Sequence, residues 1–176
     1  LIENKFLIKK YIILCAGKKL ENECKKFNLI KAHSWDFDHK LKIKKKNIRK
    51  KNFFLYLDQY AHDHPDYNYF KITKVDPKIF YDSLNNFFDK LEKKFKKKVI
   101  IAAHPRANKY SYLKNKKSYF KKRQIYFNKT LELSQKCFAT ISHGSTAISY
   151  SVIYRKPIIF ILNDEMVRVK KNRKQE

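Results

Sequence analysis

Four short apolar runs constrain this chain most: residues 53–57 (FFLYL), 99–103 (VIIAA), 138–142 (FATIS) and 157–162 (PIIFIL). Each is strand-length and lacks the apolar–polar alternation of a half-solvated strand, so each predicts a strand buried on both faces. Segments of helical period lie between them. The clearest opens at Asp76-Pro77, an N-cap carboxylate followed by a residue suited to the first helical position. Phe80, Leu84, Phe87, Phe88, Leu91 and Phe95 then recur at steps of three and four as one apolar stripe. Lysines 93, 94, 96, 97 and 98 crowd its last turn and complement the negative end of the dipole. A weak strand at 125–127 and helices at 130–136 and 145–154 complete the alternation. The pattern predicts an α/β protein with a parallel sheet covered on both sides.

Ahead of this region, residues 11–16, 18–27 and 29–32 read as one strand–helix–strand turn. Residues 40–51 hold eight Lys or Arg in twelve positions with no interleaved aromatics. They read as a solvated linker, with a nucleic-acid or membrane patch as the alternative. The expected organisation is therefore a small amino-terminal part, 1–45, and a larger sheet domain, 46–176.

Composition bounds the partners. Lys and Arg number 42 against 16 Asp and Glu in 176 residues, a net charge of +26. That balance favours polyanions: nucleic acid, phospholipid head groups or nucleotide phosphates. Lysine and asparagine are abundant and arginine scarce, as in an AT-rich genome, so the charge by itself does not name the anion. The apolar fraction of 43% is enough for a packed core. The longest apolar runs are about six residues, far short of the ~20 a membrane-spanning helix needs. Three cysteines (Cys15, Cys24, Cys137) without CxxC spacing argue against structural disulfides and for a reducing compartment. No signal peptide is visible, and a first residue other than Met makes the sequence read as a piece of a longer one.

In open parallel sheets, ligands sit beyond the carboxyl ends of the strands. The residues that follow the apolar runs are Asp58-Gln59-Tyr60, His104-Pro105-Arg106, His143-Gly144-Ser145-Thr146 and Asn163-Asp164-Glu165. Gly144 is one of two glycines and falls between a strand and a helix, where a tight turn needs no Cβ. Ser145 and Thr146 at the helix start would join hydroxyls and free N–H groups into an anion site. The same residues also suit an ordinary capped helix. His104 adds a titratable donor, Pro105 fixes the exit of the chain, and Arg106 is able to grip a phosphate. His64 belongs to a polar loop at the mouth of the cleft. His62, His64 and Asp66 have the H-x-H-x-D spacing of a zinc hydrolase cluster, but Tyr67 stands where that motif needs a further histidine. Asp36 and Asp38, in a turn after the 29–32 strand, are candidate bases. No GxSxG, Walker loop, GxGxxG or CxxC occurs.

The segment Phe138-Ala139-Thr140-Ile141-Ser142-His143-Gly144-Ser145-Thr146-Ala147, with Tyr154-Arg155-Lys156-Pro157-Ile158-Ile159-Phe160, resembles the nucleotide-sugar half of bacterial GT-B glycosyltransferases of surface-polysaccharide synthesis. It is most similar to the sialyltransferase and polysialyltransferase groups, whose HP and Ser-Ser/Ser-Thr motifs match His104-Pro105 and Ser145-Thr146. Leu57-Asp58-Gln59-Tyr60 with His64-Pro65-Asp66 resembles a segment of surface-carbohydrate biosynthesis proteins. The resemblance spans roughly residues 53–165. It implies a Rossmann-like carboxyl-terminal half of a GT-B fold in 46–176, with 1–45 a partial amino-terminal lobe. It implies phosphate binding by His104, Pro105, Arg106, His143, Gly144, Ser145 and Thr146, with Asp58, Gln59 and His64 lining the cleft. The catalytic carboxylate would come from the amino-terminal lobe, where Asp36 and Asp38 stand. The expected substrate is a CMP- or UDP-linked sugar, the acceptor a glycan or glycolipid of capsule or lipopolysaccharide, with no tightly bound cofactor and no metal. The expected place is the bacterial cytoplasm, with peripheral contact of the basic surface to anionic inner-membrane lipids. The alternatives are a nucleic-acid-binding module, resting on charge and tyrosines, and the zinc hydrolase.

Overall fold

A computed structural model describes residues 12–15, 17–23, 28–42, 52–69, 73–114 and 117–172. The chain divides into two compact units, 1–45 and 46–176. In the first, β1 (Ile12–Cys15) and β2 (Asn28–Lys31) pair in parallel, with Ile12 opposite Asn28 and Cys15 opposite Lys31. Helix α1 (Lys18–Glu23) joins them, and Gly17 enters it at φ +98°, a conformation suited to glycine. The expected turn at 33–38 is instead the start of α2 (Trp35–Lys42). Asp36 and Asp38 occupy its first turn, where acidic groups favour a helix N-terminus. Most of the expected basic linker, 43–51, lies outside the described residues, as does Cys24.

The second unit is α/β. Its parallel strands are β3 (Phe53–Leu57), β4 (Lys98–Ala102), β7 (Ile125–Tyr126), β8 (Ala139–Ser142) and β9 (Ile158–Phe160), in the spatial order β7-β4-β3-β8-β9. Between β4 and β7 a small antiparallel hairpin, β5 (Leu113–Lys114) and β6 (Lys117–Ser118), interrupts what reads in the sequence as a plain loop. The helices are α3 (Asp66–Tyr69), α4 (Pro77–Phe95), α5 (Thr130–Lys136), α6 (Ile148–Ile153) and α7 (Asp164–Asn172). Leu57 lies opposite both Ala102 and Ser142, so three strands end in register and release their next residues along one edge. The arrangement is consistent with a Rossmann-like sheet, and its order reverses direction at β3.

Every residue of β3 is buried, because alternate side chains enter two separate cores. Phe54 and Tyr56 join Phe80, Leu84, Phe88, Val99, Ile101 and Ile141 on the α4 side. Phe53, Leu55 and Leu57 join Leu133 and Cys137 on the α5 side. Helix α4 starts as the sequence predicts, with Asp76 Oδ1 accepting the Ile79 N–H at 2.9 Å and Pro77 in the first turn. It stops at Lys96, left-handed at φ +54°. Helix α7 is clamped to the start of α4. Asn163 Nδ2 donates to the Phe80 carbonyl, and Glu165 Oε1 accepts the Asp76 N–H at 2.7 Å. The Arg168 guanidinium and that N–H hold the Glu165 carboxyl down at about 2. Among the described residues no helix is long and apolar enough to cross a membrane.

Candidate functional site

The carboxyl ends of β3, β4 and β8 open into one hollow of about 360 Å³. Gln59, Ala61, His64, Asp66 and Tyr67 come from the segment after β3, and His104 follows β4. Gly144, Ser145 and Thr146 follow β8, and Met166 lies on α7. The hollow sits where the strand order reverses, the place where open α/β sheets form a crevice.

His104 is set by its surroundings. Its Nδ1 accepts the Arg106 N–H at 3.3 Å, so in the neutral ring the proton resides on Nε2. Tyr60 stacks on it at 6.2 Å and 14°, and His64 lies edge-on at 5.1 Å. Partial burial, then the neighbouring His64 and Arg106, lower its pKa from the ordinary histidine value. His64 Nδ1 accepts the Asp66 N–H at 3.2 Å, with the Asp66 carboxylate 3.4 Å away.

Asp58 stands behind this wall rather than in it. Buried at 3% exposure, its Oδ2 accepts the Tyr112 O–H at 2.7 Å and the Tyr60 N–H at 2.9 Å. The Tyr112 oxygen in turn accepts the His104 N–H at 3.2 Å. One carboxyl thus ties the exits of β3 and β4 and braces the stacked Tyr60–His104 pair. Burial raises its pKa to about 6 against the hydrogen bonds that favour the ionised form, and its Oδ1 has no partner among the described residues.

The turn after β8 differs from the expected anion nest. Ser142 Oγ accepts both the Gly144 and the Ser145 N–H at 3.0 Å, and Ser145 Oγ accepts the Ala147 N–H at 3.3 Å. Helix α6 begins only at Ile148, so these N–H groups are already used by serine side chains. Ser145 and Thr146 contribute to the hollow as part of a turn. Gly144 has φ +131°, and a Cβ there would meet Gln59 Nε2 at 4.0 Å; backbone conformation, more than space, requires glycine.

His143 does not line the hollow. Its ring packs against Tyr56 and Phe80 at 5.9 and 5.5 Å, and its Nδ1 lies 3.0 Å from the Ile161 carbonyl. Burial pushes its pKa down to about 4. Half-buried, it packs against core rings instead. Pro105 and Arg106 are exposed and outside the lining; the Arg106 backbone orients His104 instead. Asp36 and Asp38 belong to the other unit.

His62 and His64 do not share a site. The two ring nitrogens of His62 meet the Tyr81 hydroxyl at 2.7 Å and the Ser111 carbonyl at 2.8 Å. Among the described residues no three His, Cys, Asp or Glu side chains converge closely enough to hold a metal ion. The site also contains residues the sequence did not single out for it. Tyr67 reaches it through the short turn of α3, next to Asp66 of the polar loop expected at the mouth of the cleft. Met166 reaches it only through the packing of α7. Comparison with protein-family models, with curated proteins and with solved structures finds no match for this chain.

Proposed function

We propose that residues 46–176 bind the phosphate of a nucleotide-linked sugar, CMP- or UDP-type, and that the protein acts in sugar transfer to a glycan or glycolipid, as expected of half a GT-B enzyme. The observation that carries this reading is the convergence of His104, His64, Gln59 and the Ser145 and Thr146 hydroxyls on one hollow at the reversal point of a parallel sheet. Two imidazoles, an amide and two hydroxyls offer donors to a phosphate without a fixed guanidinium. A neutral imidazole that donates its Nε2–H to the departing phosphate stabilises that leaving group. Asp66 is the carboxylate lining the hollow among the described residues. It weakens the field on a phosphate and would accept a proton from an incoming hydroxyl.

Titration calorimetry with CMP- and UDP-linked sugars tests this. His104→Ala should weaken binding about tenfold, the loss of one charge-assisted hydrogen bond of ~1.5 kcal/mol. Asp66→Asn should leave affinity unchanged or raise it, because it removes a negative charge beside the phosphate. No heat with any nucleotide sugar, or equal affinity for wild type and His104→Ala, overturns the reading.

A further inference from the structure

The opposite end of the sheet has a character of its own. At the amino ends of β3, β4 and β8, Phe95 and Phe138 are 42% and 45% exposed. Both rings stand edge-on to the buried Phe54 at 5.5 Å, so one buried ring holds the two half-exposed rings close together. Lysine ammonium groups lie over them, Lys97 Nζ 4.7 Å from the Phe138 centroid and Lys94 Nζ 5.7 Å from that of Phe95. Beside them a groove of about 650 Å³ is lined by Lys96, Lys97, Lys98, Lys121, Lys122 and Arg123 over Val99 and Ile100.

The acids of this end are already neutralised. Asp89 is paired with Lys121 and Arg123, and Glu92 with Arg123 at 2.6 Å. Lys93, Lys94, Lys96, Lys97, Lys98 and Lys122 form no ion pair with a described carboxylate. By contrast, Asp58, Asp63, Asp66, Asp164 and Glu165 all follow the carboxyl ends of strands. The unit is therefore polarised along its strands, and the excess positive charge surrounds two half-exposed hydrocarbon rings.

We propose that this amino-terminal end of the sheet is a docking face for an anionic lipid bilayer. Phe95 and Phe138 enter the acyl boundary, and the ammonium groups that lie over the rings in the free protein swing out to phosphate level. Phenylalanine brings hydrocarbon without a polar tip. The ammonium over each ring occupies a face that a nucleic-acid base would need for stacking, so a bilayer matches better than a single strand. The hollow described above opens at the far end of the strands, and this proposal stands or falls independently of it.

The test is sedimentation of the full chain with vesicles of phosphatidylcholine alone or mixed with phosphatidylglycerol. Wild type should bind only the mixed vesicles, and salt should release it. The triple variant Lys94→Gln, Lys97→Gln, Lys122→Gln should lose about 100-fold in partitioning, each lysine near an anionic surface contributing on the order of fivefold. The variant Lys78→Gln, Lys109→Gln, Lys129→Gln removes the same charge from the other end and should stay within about twofold of wild type. Phe95→Gln with Phe138→Gln should also weaken binding, and circular dichroism would confirm that this variant is folded. The proposal is overturned by equal effects of the two lysine variants, by equal binding to neutral vesicles, or by capture of a single-stranded oligonucleotide without binding to the mixed vesicles.

Discussion

Asp58 shows how one residue organises the edge of a sheet. Its N–H continues the ladder to the Ala102 carbonyl at 3.1 Å, which turns its carboxyl inward to Tyr112 and Tyr60. With a folded pKa of about 6 above the unfolded carboxyl value near ~3.9, the native state holds the proton more tightly. The stability this gives is fully present below the unfolded value and is lost as pH rises through about 6. The gap between the folded and unfolded values corresponds to about 3 kcal/mol of proton-linked stability. Asp58→Asn should therefore remove that slope: urea melts should show wild type losing stability relative to the variant between about pH 4 and pH 6. His143 acts in the opposite sense. Its pKa, depressed to about 4, makes stability fall as pH drops below the ordinary histidine value, equally in both proteins. A flat difference between the melts would show that Asp58 does not hold its proton more tightly in the folded state. His104 and Ser145 were legible in the sequence because each follows a strand run. The side to which His143 turns was not, because packing against Tyr56 and Phe80 decides it.

Among the elements, α4 was the most legible and α6 the least. The stripe of α4 buries Phe80, Leu84, Phe88 and Leu91, four of the six positions its spacing predicts. Tyr81 and Asn85 join them because the hairpin side of the core covers that flank: Asn85 Nδ2 donates to the Tyr119 carbonyl, and Tyr119 stacks on Tyr81 at 4.6 Å. Phe88 is fully buried, with Tyr56 edge-on at 5.2 Å and the Arg123 guanidinium 5.2 Å from its centroid. Phe88→Ala should cost about 3–5 kcal/mol, read as a lowered midpoint in urea with an unchanged slope. A loss below about 1 kcal/mol would show that this core is not packed as described. Helix α6 begins three residues later than its sequence suggests, because the carbonyls of Ser145, Thr146 and Ala147 each accept an N–H three positions on. That tight turn replaces the first helical turn. Helix α2 lacks a regular apolar stripe, so its sequence reads as a turn.

For the whole molecule, the hollow is built entirely from 46–176. A bound nucleotide sugar should therefore raise the unfolding temperature of that unit alone, whose enthalpy at ~0.7 kcal/mol per residue is about 90 kcal/mol, against about 30 for the smaller one. Scanning calorimetry with ligand should place the shift, a few degrees at about ten times Kd, in the transition of larger enthalpy. A shift confined to the smaller transition would move the binding site out of the hollow. By itself the sequence determined the α/β class, the boundaries of the long helix and which residues leave the strand ends, because apolar period, proline and N-cap chemistry act within a few residues. Only the tertiary structure decided the order β7-β4-β3-β8-β9, the convergence of His64, His104 and Ser145, the burial of Asp58, the packing of His143 against Tyr56 and Phe80, and the gathering of Phe95, Phe138 and the lysines at one end. Those depend on contacts between residues tens of positions apart, where side-chain packing and register rather than local preference select the outcome.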